Sequence, residues 1–489
     1  MTNDATLHIP PGRRILFLDD WVIESSANVC RRIEPLRKQA ANPLIVPDRP
    51  WEGCQALLYG SVLRDGATGR YRIWYLTGIG LGDTDHQAMG YAESDDGLVW
   101  SKPLMDAVCR DGQPTNLVIR RGDWLPHHFF FEPFGVLDDP ADPDPQRRFK
   151  FLYLSLEFNS PKAWNPKIKG SRRGVGCAVS PDGLRWTPES DWTSEAIIDI
   201  SQALYDPALR EFMLYGRDHV ILPEIERAWG GFPWFKANYW GRVVVRLTSP
   251  DLRRWSEPQL VMAADKDDPP GSDVYTMSVF PYEGLYIGMV QRYINNPDDP
   301  ERDGTLDYQY AVSHDGIRFE RVGDRAPCLA LGGVGAWDRF NQSIANRPVR
   351  VGDELRFYYS GRTCRHTPAA ARSRETGPHW GAIGLATTPR DRFAALTAGF
   401  DGGTVVTKPF PAPAGGLRVN LCAPAGRVGV EVLDEQAQPI QGLSAEVRGD
   451  ALDACVPLPA DRLAAVAGRR VRLRFSLANA RLYSFGFAD

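Results

Sequence analysis

Short runs of alternating apolar and polar residues follow one another along most of the chain, each closed by a turn signal. No segment carries the 3.6-residue periodicity of a long amphipathic helix. Between residues 57 and 400 these runs recur as five similar units. The first contains YGSVLRD, YRIWYL and MGYAESDDGLVW, and the second FGVLDD, FKFLYL and GVGCAVSPDGLRW. The third contains QALYDP, EFMLYGR and RVVVRLTSPDLRRW, the fourth MSVFPYEG, LYIGMVQR and DYQYAVSHDGIRF, and the fifth RPVRVGD, ELRFYYSGR and GAIGLATTPRDRF. Each unit predicts three strands, a tight turn and a fourth strand. The turns fall at Asp96-Gly97, Asp182-Gly183, Pro250-Asp251, Asp315-Gly316 and Pro389-Arg390, and Asp-Gly suits a hairpin because glycine accepts positive φ. An aromatic follows each turn (Trp100, Trp186, Trp255, Phe319, Phe393), where it is expected to pack sheet against sheet. Repetition at this period predicts an all-β fold, a five-bladed β-propeller.

The repeat stops near residue 404. Beyond a Gly- and Pro-rich stretch, GGLRVNLCAPAGRVGVEVLDE and RRVRLRFSLANARLYSFGF alternate as strands of a small antiparallel β-sandwich. The expected division is therefore 1–404 for an N-terminal strand and the propeller, and 405–489 for the sandwich. The early strand ILFLDDWVIE either closes the ring against the fifth unit or covers one face.

Composition narrows the function. Lys and Arg number 57 against 61 Asp and Glu, a formal charge of −4 with no basic block, which argues against nucleic acid as a partner. The first residues hold no signal-like apolar run and no stretch of about 18 apolar residues occurs, so a cytoplasmic protein without a membrane partner is expected. The eight cysteines are scattered without paired spacing, which predicts reduced thiols and neither a metal site nor another cofactor. Self-association is left open by the sequence.

Five units with Y-x-x-W-Y and S-x-D-G-x-x-W signatures, followed by a sandwich, resemble the five-bladed glycoside hydrolases of the invertase, levansucrase and arabinanase group over nearly the whole chain. That resemblance implies three central carboxylates: a nucleophile or base, a stabilising Asp and a Glu acid. The chain departs from the group in the first unit, where LLYGSVLRD lacks the Asp expected at the start of the inner strand. Asp206-Pro207 in YDPALREF falls in a hairpin and reads as a turn.

Alternating strand direction puts the start of each first strand, the end of each second strand and the loop after it on one rim. Glu132, Asp199 and Asp273 precede first strands of units two, three and four, and are the expected catalytic trio, with Glu132 as acid. Glu52 and Asp338, each following a tryptophan (Trp51, Trp337), occupy related places in units one and five and are candidates for substrate binding, as is Trp337 itself. Asp19 and Asp20 are weaker candidates. Arg217, Arg292 and Arg362 end the second strands of units three to five and should face the same rim, where guanidiniums match anionic oxygens bidentately. His219, His127 and His128 fall near this face. The expected chemistry is metal-independent hydrolysis of a glycosidic bond, with a furanosidic bond among the candidates, in an oligosaccharide or glycoside, with one protonated and one ionised carboxyl. Phosphorolysis or glycosyl transfer using the arginines is the alternative enzyme reading, and a non-catalytic carbohydrate-binding propeller is the other.

Overall fold

The computed structural model describes residues 7–78, 87–120, 128–158, 171–194, 199–366 and 380–488. Strands account for 52% of the described residues and helices for 5%. Each unit is an antiparallel sheet. Unit one pairs Val62–Arg64, Tyr71–Thr77, Ala88–Ser94 and Leu117–Arg120; unit two pairs His128–Asp138, Phe149–Phe158, Ser171–Ser180 and Thr187–Ser194. Unit three pairs Ser201–Asp206, Glu211–His219, Arg242–Ser249 and Gln259–Met262. Units four and five share one hydrogen-bonded sheet, joined by a single parallel contact, Leu306 with Asn341. Unit four runs through Ser272–Tyr282, Leu285–Ile294, Leu306–Ser313 and Glu320–Arg321.

The S-x-D turns explain the repeat chemically. In Ser94/Asp96, Ser180/Asp182 and Ser313/Asp315, the serine Oγ accepts from the glycine N–H, while the aspartate accepts from the next two backbone N–H groups. The glycine carbonyl then serves the neighbouring unit. Trp74 Nε1 donates to Gly183 O (2.8 Å), Tyr215 Oη to Gly316 O (2.9 Å) and Tyr358 Oη to Gly97 O (2.8 Å). The last of these joins unit five to unit one, so the succession of sheets closes on itself. At the centre, Asn346 Nδ2 donates to Phe134 O and Ala203 O while its N–H reaches Gly60 O, touching three other units at once. The recurring aromatics pack as expected: Trp100 meets Tyr358 edge-on across the seam, and Phe319 meets Tyr215 in the same way.

One expectation needs correction, and the pairing of the chain ends answers what the sequence left open. The outer strand of unit five is not the segment after Arg390 but Arg37–Lys38, which pairs with Gly381–Pro389 from the other end of the chain. Residues Ala394–Ala398 instead enter a ten-stranded C-terminal sheet. The early strand does not close the ring: Arg14–Leu16, Ile23–Ala27 and Cys30–Ile33 pair with Ala480–Phe487, Gly403–Thr407 and Ala394–Ala398. Hydrogen bonding thus crosses the boundary expected at 404, because both chain ends supply strands to one core that includes Phe17, Val405, Val430, Phe475 and Phe485. That sheet is fastened to the units by Asp391, which accepts from Tyr282 Oη (2.7 Å) and Ser484 Oγ (2.9 Å).

Candidate active site

Glu132 and Asp199 enter one site with Arg217, Tyr275, Arg362 and Tyr59. Arg217 is 3% exposed. Its Nη1 donates to Asp199 Oδ2 at 2.6 Å, its Nε to the Tyr275 carbonyl at 2.9 Å, and its guanidinium lies 3.8 Å from the centre of the Tyr275 ring. Burial works against its charge, yet Asp199, Tyr275 and Glu132 together hold its pKa above the ordinary guanidinium value. Arg362 donates to Tyr59 Oη at 3.3 Å, and its pKa is raised in the same sense, against burial, by Tyr59, Cys364, Tyr275 and Glu132. Burial pushes the Tyr275 phenol up to about 12, so it is a neutral donor at neutral pH.

Asp273 sits beside this group and below the surface. It is 0% exposed, its Oδ2 accepts from Arg242 Nη1 (2.7 Å) and its Oδ1 from the Arg242 backbone N–H (2.9 Å). Burial raises its pKa and Arg242 opposes the shift. Arg242 is in turn set among the rings of Tyr293, Trp240 and Tyr275, at 4.9, 5.5 and 5.7 Å. His219 packs against Trp240 with ring centres 5.7 Å apart. Asp199 therefore bonds Arg217 directly and Glu132 lies within the field of Arg217, Tyr275 and Arg362, while Asp273 reaches the group through Arg242.

Other candidates sit elsewhere. Glu52, 0% exposed, accepts from the Asp48 and Arg49 N–H groups, from Lys102 Nζ (2.7 Å) and from Tyr75 Oη (2.5 Å). Asp338 repeats the arrangement in unit five with Lys38 Nζ (2.5 Å) and Tyr359 Oη (2.9 Å), and Trp337 stacks on Tyr359. Each is a carboxylate latch tying a lysine to a second-strand tyrosine. Arg292 does not join Arg217 and Arg362: it grips Asp307 on the next strand with two bonds of 3.1 and 2.7 Å. The reason is the two-residue period of a strand. Met213 and Tyr215 face unit four, and Arg217 continues that face. In unit four, Val290 faces back toward unit three, and Arg292 continues that one. Asp19 pairs with His314 at 2.8 Å and Asp20 with Arg31, both far along the chain from the site residues. His127 and the side chain of His128 lie outside the described residues.

Sequence reasoning missed Tyr59, Tyr275, Arg242 and His366. His366, in the loop after the second strand of unit five, meets Tyr275 Oη through Nε2 at 2.8 Å. The available signals were weak. Arg242 opens a third strand, and Tyr275 occupies a bulge where the pairing jumps between Val274 and Thr276. Among the described residues no group of three or more His, Cys, Asp or Glu is placed to hold a metal, and no helix is long and apolar enough to cross a membrane.

No family model matches the chain, and no curated protein matches it. Its structure is similar to several solved ones, among them glycoside hydrolases of families 43, 32 and 130. An N-acetylgalactosamine deacetylase from F. plautii, in complex with blood group B trisaccharide, is 16% identical, covering 75% of this chain and 96% of its own at a TM-score of 0.44. A family 43 arabinoxylan arabinofuranohydrolase from Bacillus subtilis is 13% identical over 93% of this chain and 99% of its own, with a TM-score of 0.41. A family 32 β-fructofuranosidase of Bombyx mori is 8% identical over 90% of this chain and 95% of its own, with a TM-score of 0.40. At such identities and scores, what those proteins act on remains theirs.

Proposed function

We propose that the chain is a glycoside hydrolase built on a five-bladed β-propeller with a C-terminal β-sandwich, cleaving a glycosidic bond of an oligosaccharide or glycoside at the mouth of the ring. The observation that carries this reading is the meeting of Glu132, Asp199, Arg217, Tyr275 and Arg362, drawn from four successive units, at one place. Asp199, bonded to a buried guanidinium, stays ionised and serves as base or nucleophile. Glu132, buried beside Tyr275, is the acid that protonates the leaving oxygen. Asp273 acts through Arg242 as the stabilising third carboxylate.

The test is amide substitution on a panel of aryl glycosides and oligosaccharides, run with and without inorganic phosphate. Glu132→Gln and Asp199→Asn should each lower turnover by about a hundredfold or more while leaving thermal stability nearly unchanged. Full activity in both variants refutes the assignment. Turnover that requires phosphate moves the reaction to phosphorolysis, and sugar affinity without turnover makes the chain a binding protein.

A further inference from the structure

We infer that His366 is a positioning residue for the Arg217–Asp199 pair, acting from unit five through Tyr275 of unit four; the inference rests on the glycosidase reading. Tyr275 stands at a bulge. Val274 pairs with Arg292 and Thr276 with Gln291, so Tyr275 has no partner in the ladder. A bulge of this kind re-aims a side chain and frees its backbone. The freed carbonyl accepts from Arg217 Nε, the ring lies under the Arg217 guanidinium, and the hydroxyl projects past it to His366 Nε2. The tyrosine is thus held at three points, two by Arg217 and the third by the imidazole of the neighbouring unit.

His366 is itself fixed. Its backbone N–H donates to Gly304 O (2.7 Å), Arg365 Nη1 donates to Glu301 O (3.1 Å), and its ring packs on Tyr293 with centres 4.9 Å apart. The loop that follows the second strand of unit five is therefore pinned to the corresponding loop of unit four, and the imidazole is delivered to a set place. The phenol it holds is 6% exposed, and a buried hydroxyl deprived of its partner is strongly disfavoured. Without His366 the ring turns to satisfy its hydroxyl, and the plate beneath Arg217 turns with it. Arg217 has a second stake in that plate. Its Nη2 is buried with no hydrogen-bond partner among the described residues, so the ring orientation also sets where this donor points.

The test compares His366→Ala, His366→Gln, Tyr275→Phe and the His366→Ala/Tyr275→Phe double variant on a glycoside that the wild type turns over. His366→Ala and Tyr275→Phe should each lower kcat by roughly tenfold with KM changed less than about twofold, as for a loss of transition-state stabilisation alone. The double variant should be no worse than either single one, because both remove the same contact. Glutamine reaches the hydroxyl through its amide and should restore most of the rate. Wild-type kcat in His366→Ala, or losses that multiply in the double variant, overturns the inference. So does a glutamine variant as slow as alanine. Histidine NMR provides a readout free of activity: the His366 signal, identified by its loss in His366→Gln, should move in Tyr275→Phe. An unmoved signal overturns the contact, whereas a moved signal in a protein without glycosidase turnover overturns the functional reading and leaves the contact standing.

Discussion

Glu52 offers a test in which a structural and a substrate-binding role give opposite results. Glu52→Gln preserves shape and can still accept from the Asp48 and Arg49 N–H groups, but it removes the charge facing Lys102 and puts a donor where the acceptor faced Tyr75. Lys102 is 7% exposed at its side chain and would keep Val46 O and the Asp48 carboxylate, both at 2.7 Å. Removing one partner of a fully buried pair costs about 3–5 kcal/mol, and the retained Asp48 contact lowers that to about 2–4 kcal/mol. Asp338→Asn makes the same change at a wetter latch, where Lys38 is 29% exposed, so water replaces more of the lost charge and the cost falls to about 1–2 kcal/mol. Urea unfolding followed by tryptophan fluorescence, with unchanged slope, reads both values. KM should not move in either variant. A raised KM with wild-type stability would refute the latch and return Glu52 to the substrate, and an Asp338→Asn cost equal to or above that of Glu52→Gln would refute the burial argument.

Gly97→Ala should weaken the seam between units five and one by about 2 kcal/mol or more, since a Cβ there meets the Tyr358 hydroxyl at a φ of 75°, whereas Gly66→Ala, with open space around it, should be silent in the same thermal scan. Asp96 is held below the usual carboxylate range by the Val99 and Leu98 N–H groups, so its contribution to stability is present above its unfolded pKa of about 3.9 and is lost as pH falls through the lower folded value. Asp96→Asn should therefore flatten the stability-against-pH curve across that window and lower stability above it, so that the two proteins converge as pH falls, as measured by urea midpoints at a series of acidic pH values. Arg292→Met should cost stability by leaving Asp307 unpaired but spare KM, whereas Arg217→Met should cut turnover; the reverse pattern would restore Arg292 to the site.

The units were legible because their chemistry is local. Ser94 to Gly97, Ser180 to Gly183 and Ser313 to Gly316 each build a turn from adjacent residues, and the glycine that permits the turn also supplies the carbonyl for the preceding unit's aromatic. The chain ends were not legible, because their pairing is settled by distant partners. Nothing in Arg37–Lys38 marks it as the edge of a sheet whose other strands begin some 300 residues later, as its pairing with Ala386 and Thr387 requires. The same division runs through the site. Strand direction alone placed Glu132 and Asp199 at one rim, whereas Tyr275 escapes any period-two reading because the bulge interrupts the period, and His366 lies in a loop whose course no repeat specifies.

Strand parity also decides what charge the site presents. Arg217 and Arg362 face onward to the next unit, and the one-residue offset in unit four sends Arg292 backward to Asp307. The third guanidinium near the carboxylates is Arg242, from the start of a third strand. Arg217 is engaged with Asp199 and Arg242 with Asp273, and Arg362 lies within the field of Glu132. Three cations therefore stand against three carboxylates, and two of the pairs are in direct contact. A site built to collect a phosphate or a sugar acid would leave guanidinium forks open to it, since bidentate capture needs parallel N–H groups unengaged. Here Arg217 and Arg242 each give Nη1 to a protein carboxylate, Asp199 and Asp273, and Arg362 gives Nη2 to Tyr59, which makes a neutral glycoside the better electrostatic match. On this argument added phosphate should neither accelerate turnover nor compete with substrate at millimolar concentration, and phosphate-dependent turnover would show that a carboxylate yields its arginine when the anion arrives.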